Sequence, residues 1–176
     1  MIVDLFKIPI FIGNIDVEKI NLKNSNFKKT WVSETPSTHE ESLKNLSNME
    51  KENIGYLLET IITILEEKIN YPFELNLLNI WENNYINNDY QEPHIHGNSD
   101  FSFIIYKDVK EGKTAFLNPI RNFLMIYSNI SHMFDGAFIP KCKTGQIIIF
   151  PSFLEHMVLK SSKQKTISGN LRFKKK

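Results

Sequence analysis

The 176-residue chain lacks most of the features that announce specialised protein classes. It holds one cysteine, which excludes an internal disulfide framework and a cysteine-rich zinc site. A lone cysteine also fits a reducing compartment, and a cytoplasmic location is expected. Neither sign of charge dominates: 21 Lys plus Arg stand against 20 Asp plus Glu, a formal net charge of +1. Nucleic-acid binders usually show their basic footprint in that total, so no nucleic-acid partner is expected. No apolar run approaches the ~18–20 residues of a membrane span. The apolar start, Met1 to Ile12, is interrupted by Asp4, Lys7 and Pro9 and makes a poor signal peptide.

What is present is an ordinary globular composition, 41% hydrophobic and 23% charged, with enough apolar material for one core. A single domain over 1–176 is expected. Residues 1–72 would supply a strand, a loop and a helix, and residues 73–176 a β core. Ile2 to Ile12 reads as an edge strand because it contains Pro9, which cannot donate to a ladder. Such an edge is open to pairing with a second copy, as in a homodimer. Asn21 to Asn48 is polar and aperiodic, a loop with room for one short helix. Ile54, Leu57, Leu58, Ile61, Ile62, Leu65 and Ile69 then recur at i, i+3, i+4 and i+7. That spacing predicts a packed helix around 49–69, capped by Ser47 or Asn48 and ended before Pro72.

Beyond Pro72 short β-rich segments follow one another: 73–81, 91–96, 101–107, 114–117, 123–128, 146–150, 156–159 and 165–173. Turn signals such as Gly97-Asn98, Asn118-Pro119, Asp135-Gly136 and Thr144-Gly145 separate them. Strands at this spacing, with no alternating helices, predict a mainly β jelly roll carrying the N-terminal helix.

The five histidines are unevenly placed. His94 and His96 are two apart, and on a strand residues i and i+2 share a face. Two neutral imidazoles side by side suit a metal ion; two solvated side chains on an exposed edge are the plainer alternative. His156 follows a glycine turn, the apolar run Ile147–Phe150 and the corner Pro151-Ser152. There it can serve as a late ligand delivered across a barrel to the early pair, or as a satisfied structural histidine. His39 and His132 are expected at the surface. Cys142 lies between Lys141 and Lys143, which could favour its thiolate.

The stretch Trp81-Glu82-Asn83, Gln91-Glu92-Pro93-His94-Ile95-His96, Phe101 to Tyr106, and later Phe150-Pro151-Ser152 with His156, resembles a family of 2-oxoglutarate- and Fe(II)-dependent oxygenases of bacteria and tailed bacteriophages. The resemblance implies a double-stranded β-helix (jelly roll, cupin-like). It implies Fe(II) held by His94, His96 and His156, with 2-oxoglutarate and O2 as cosubstrates and hydroxylation of an unknown small-molecule or peptide substrate. Members of such families usually present His-x-Asp/Glu with a later His; here His96 holds the carboxylate position. Either three histidines bind the metal or Asp100 supplies a carboxylate, its alternative role being to cap its own turn. A histidine-only set also occurs in cupins. A cupin-like metal-binding jelly roll that does not use 2-oxoglutarate, whether isomerase or binding module, is therefore the second reading.

The family holds the far carboxylate of 2-oxoglutarate with a cation about ten residues after the last histidine. Lys165 stands nine after His156, and Arg172, which shares a strand face with Ser168 and Asn170, competes with it. Lys113 is a third option. Tyr106 and Ser168 are further expected contacts of 2-oxoglutarate. A solvated surface charge is the alternative for each cation, and a core aromatic the alternative for Tyr106. A cation pointing into the barrel near the histidines separates the oxygenase from the cupin-like reading. Loops at 21–48 and 129–144 would shape the substrate mouth.

Overall fold

The computed structural model describes residues 7–22, 28–30, 33–37, 48–126, 129 and 132–176. In chain order the elements are β1 (Phe11–Asn14), β2 (Lys28–Thr30), β3 (Ser33–Ser37), α1 (Asn48–Glu66), β4 (Phe73–His94), β5 (Phe101–Asp108), β6 (Thr114–Leu117), α2 (Arg121–Ile126), β7 (Ala137–Phe138), β8 (Gln146–Pro151) and β9 (His156–Lys175). A short 3-10 turn, Val17–Lys19, follows β1. The expected cap Ser47, and His39, lie outside the described residues, as does most of the expected loop 21–48. No helix among the described residues is long and apolar enough to cross a membrane.

The fold is a mainly antiparallel jelly roll, as the strand spacing predicts. Its main path runs β1-β8-β5-β9-β4-β3-β2, with β6 pairing β9 and β7 pairing β6. β1 is an edge strand from Phe11, after Pro9, and residues 2–6 of the expected edge strand 2–12 lie outside the described residues. Two strands are longer than the sequence suggests. Segment 73–81 and residues 91–94 of segment 91–96 are parts of one strand, β4, and segments 156–159 and 165–173 are parts of β9. β4 and β9 pair from Phe73↔Lys175 to His94↔His156, with register shifts between Ile86 and His94. Asn88 sits at φ 68° inside that irregular stretch, a left-handed conformation that Asn tolerates. The irregularity lets the pair change neighbours along its length. Near 165–171 β9 takes β5 as its second partner, and near 156–158 it takes β6. One strand pair thereby serves both layers of the roll.

Alternation sets what lies on each side. Phe103 and Ile105 of β5, Ile147 and Ile149 of β8, and Ile167 and Leu171 of β9 share one core cluster with α1. Helix residues Leu57, Ile61 and Leu65, spaced by four, are fully buried there. Each such side chain contributes roughly 1.5–3 kcal/mol when fully buried. Opposite-parity residues Ile104, Tyr106, Ile148 and Phe150 form a second cluster inside the roll with Phe116 and Leu154. The unbroken apolar run Ile147–Phe150 is thus buried on both faces. The helix matches its expected span and ends before Pro72.

Residues 123–126 of the expected strand 123–128 are not a strand, and 127–128 lie outside the described residues. Arg121–Ile126 is a short helix instead. Asn118 initiates it: its Oδ1 accepts from Ile120 N at 3.1 Å and its backbone carbonyl accepts from Arg121 N at 2.9 Å. Pro119 presets the backbone for the turn. Phe123 and Ile126 are left exposed, so the apolar run that suggests a strand has no sheet to enter.

Gly169 lies where β9 passes closest to its neighbours. A Cβ there would stand 2.5 Å from the Phe103 ring and 2.6 Å from the Asn79 carbonyl oxygen. Gly169→Ala is expected to lower stability by about 1–3 kcal/mol, read as a reduced urea midpoint at unchanged m-value; an unchanged midpoint would show that the strands can separate without cost.

Candidate metal centre

His94 ends β4, His156 begins β9, and the two are register partners. His96 lies two residues beyond the end of β4, not on the strand. The i, i+2 argument therefore does not place it. Its backbone does: His96 N donates to Ser152 O at 3.0 Å, tying the segment to the Pro151–Ser152 turn that precedes His156. Ring centroids are 4.3 Å apart for His94–His156 and 5.1 Å for each pair with His96. One ligand atom from each ring lies within 4.8 Å of the others. Small side-chain rotations would bring three such nitrogens to the metal–imidazole distance of about 2.1 Å.

The hydrogen bonds fix which nitrogen points inward. His94 Nδ1 contacts Glu92 O at 2.7 Å, and His156 Nδ1 contacts Leu154 O at 3.0 Å. Each ring faces the carbonyl two residues behind it, which orients it and leaves Nε2 with the lone pair. His156 is buried between Phe116 and Phe150. Burial holds its pKa well below the usual histidine value; His94 and His96 push the same way, against the Leu154 carbonyl. The ring is therefore neutral and ready to bind a metal. Three neutral imidazoles fit iron, nickel, copper or zinc better than a hard cation such as magnesium.

Asp100 takes no part in the group. Its Oδ2 accepts from Phe173 N at 2.7 Å and lies 3.8 Å from Arg172 Nη1. It caps the end of β9 across the strands rather than its own turn. Among the described residues, the group is three histidines with no carboxylate.

The histidines open on a cleft also lined by Trp81, Tyr85, Gln91, Thr114, Gln164, Thr166 and Ser168. Its innermost void is about 20 Å³, room for an ion or a water and little more. Ser168 lines it as expected. Tyr106 lies just behind, fully buried, its hydroxyl donating to Thr114 Oγ1 at 2.9 Å. Burial raises the pKa of both Tyr85 and Tyr106, so both are neutral phenols.

Neither expected cation faces the cleft. Lys165 pairs in unbroken alternation with Asn84, between Gln164 and Thr166, and both neighbours point inward. The register shift at that point, between Tyr106 and Asp108, adds a residue to β5 and none to β9, so the parity of Lys165 is kept. Arg172 has the inward parity but lies past the cleft, where Nη2 donates to Asn98 O and Nη1 approaches Asp100. Lys113 pairs with Glu111 at 4.0 Å. No Lys or Arg is among the described residues lining the cleft. Sequence reasoning missed Gln164, Thr114 and Tyr85. Even-numbered parity counted from His156 would have found Gln164 and Thr166. Cys142 is buried, and its thiol pKa is raised by that burial, so the flanking lysines do not make it a thiolate.

A family model described as "Putative 2OG-Fe(II) oxygenase" matches residues 79–168, more than half of the chain. Solved structures with the same fold include a viral collagen prolyl hydroxylase from Paramecium Bursaria Chlorella virus-1 in a 2OG complex (13% identity, 80% of this chain and 79% of that one, TM-score 0.52). Another is a prolyl hydroxylase from Trichoplax adhaerens in complex with a hypoxia inducible factor peptide fragment (11%, 94% and 83%, TM-score 0.58). A third is HygX from Streptomyces hygroscopicus with nickel and 2-oxoglutarate bound (9%, 94% and 83%, TM-score 0.55). No curated protein matches the chain.

The neutral burial of His156 predicts a pH dependence. Below about pH 6.5 the unfolded chain takes up a proton there that the metal-free native state does not. Stability of the metal-free protein should therefore be complete above that pH. It should fall on acidification by at most about 1.4 kcal/mol per pH unit from this group. In urea titrations from pH 7.5 to 5, His156→Gln is expected to flatten that slope; an equal slope in both proteins would assign the acid loss elsewhere.

Proposed function

Because the chain belongs to the 2OG-Fe(II) oxygenase family, we propose that His94, His96 and His156 hold its Fe(II) and that the adjoining cleft takes 2-oxoglutarate. The observation that carries this is the convergence of three imidazole donors within 4.8 Å at one end of the cleft. Bound iron and 2-oxo acid supply the oxidising chemistry, in which O2 and 2-oxoglutarate give succinate, CO2 and one oxygen atom placed in a substrate C–H bond. The protein's part is to bind, orient and exclude water.

His156 gives the most rigid donor, since its ring is fixed by the Leu154 carbonyl and packed by Phe116 and Phe150. Three neutral ligands leave the charge of a divalent ion uncompensated, so a dianionic 2-oxo acid balances it. The missing carboxylate ligand is thus consistent with an anionic cosubstrate. Tyr106 acts through Thr114, orienting that hydroxyl at the cleft wall. Ser168 lines the cleft directly. Arg121, paired with Glu155 at 2.6 Å, steadies the turn into His156.

A second cleft of about 370 Å³, lined by Ile8, Phe116, Phe138 and Leu154, lies behind the His156 wall through Phe116. An apolar part of a small-molecule or peptide substrate fits it better than a charged one. A cytoplasmic setting and a homodimer joined at the β1 edge complete the proposal.

The second reading, a cupin-like metalloprotein without 2-oxoglutarate, is favoured by one observation: no cation is among the described residues lining the cleft. Anaerobic titration with Fe(II) and then 2-oxoglutarate separates the two. The expected result is a visible chelate absorption band, followed by slow succinate formation on admitting O2 without substrate. Iron binding with neither band nor succinate would establish the cupin-like reading. His156→Ala should weaken iron binding by at least about tenfold while the fold survives, with quenching of Trp81, 5.7 Å from His96, as a direct readout.

A further inference from the structure

Among the described residues, two buried side-chain polar atoms have no protein hydrogen-bond partner, Asn79 Oδ1 and Gln164 Nε2. Only Gln164 lines the cleft of the three histidines. Its residue is 1% exposed. Its amide orientation is set by the other end, because Gln164 Oε1 accepts from Lys113 N at 3.2 Å. Nε2 is therefore committed as a donor turned away from that strand. A buried N–H without an acceptor costs about 1–3 kcal/mol, so a group kept in this position fits a ligand atom.

Its neighbour supplies a second donor. Thr114 follows Lys113 at the start of β6 and lines the same cleft. Thr114 Oγ1 already accepts the Tyr106 hydroxyl at 2.9 Å. Its own O–H is free to donate into the cleft. Gln164, bonded to the backbone of the residue before Thr114, and Thr114 thus present neutral donors to one cleft. The same cleft holds the histidines, with Thr114 two residues from Phe116, the register partner of His156.

We infer that Gln164 Nε2, assisted by the Thr114 hydroxyl, holds the far carboxylate of the 2-oxo acid in place of a cation. This rests on the proposed 2-oxoglutarate-dependent function. A carboxylate accepts two or more hydrogen bonds from neutral donors, each strengthened by its charge. Its charge is balanced at the metal end, where the three ligands carry none. The innermost void as it stands has room for an ion or a water, so side chains rotate when the five-carbon acid enters; such rotamer changes are usual on binding.

The test uses the full chain loaded with Mn(II) under calorimetry, and with Fe(II) anaerobically by the chelate band. Gln164→Met keeps the shape and removes the donors. Gln164→Glu keeps the acceptor for Lys113 N and sets a carboxyl against the ligand. Both should weaken 2-oxoglutarate binding by about ten- to hundredfold with metal affinity unchanged, which also reports that the fold is intact. Lys165→Ala and Arg172→Ala should bind within about twofold of the parent, below the factor of ten that one charged hydrogen bond confers. Equal binding by both Gln164 variants would overturn the inference, as would loss of binding in Lys165→Ala or Arg172→Ala. If the parent binds metal but no 2-oxoglutarate, the proposed function fails and the inference with it. If the parent binds the acid and only the Gln164 variants are unaffected, the function stands and the anchor lies elsewhere.

Discussion

The register of β4 against β9 is the constraint on which the site depends. Pairing runs without a change of partner strand from Phe73↔Lys175 to His94↔His156. The last pair brings together two histidines that are 62 positions apart in sequence. A slip of one residue would turn His156 to the opposite face and carry Gln164, Thr166 and Ser168 with it. The buried alternation on both sides of β5, β8 and β9 resists such a slip, because it would exchange the α1-facing and interior side chains together. Packing of the helix on the outer face thereby protects the chemistry on the inner face.

The inner face is polar, yet no Lys, Arg, Asp or Glu is among the described residues lining the cleft. Burial keeps His156 neutral and the two tyrosines protonated. Asn83 Nδ2 reaches Thr166 and Ser168, and Ser102 joins Ser152 and Asn170, so much of the interior polarity is matched internally. In such surroundings a divalent ion is the dominant charge, and its attraction for an anion is screened less than in water. A metal at the histidines would supply the positive charge of the cleft, and Gln164 and Thr114 its neutral donors. The two expected cations lie outside it: Lys165 faces the other side of β9, and Arg172 is engaged with Asn98 and Asp100.

Much of the architecture was legible from pattern. The helix showed because three fully buried residues recur at spacings of four on an amphipathic stretch. The jelly roll showed because turn signals punctuate short apolar runs. The three histidines stood out because their residue type and spacing are unusual in a chain with so few. Segment 121–126 misled because Phe, Leu, Met and Ile in sequence suit a strand or a helix, and only the Asn118-Pro119 turn chemistry decides between them. The reach of β4 and β9 misled because the irregular stretch through Asn88 looks like a loop in sequence.

By itself the sequence determined the fold class, the helix and the identity of the three candidate ligands, since each follows from local periodicity or residue chemistry. Tertiary structure decided which groups accompany them. Whether Lys165 or Gln164 enters the cleft depends on the parity of a strand over eight residues, which the register shifts in that stretch leave unchanged. Whether Asp100 is a ligand depends on where the end of β9 passes, since Phe173 N and Arg172 claim its carboxylate. His96 reaches the site through a backbone hydrogen bond to Ser152, not through strand alternation. Those outcomes rest on contacts between distant segments, which local pattern does not encode.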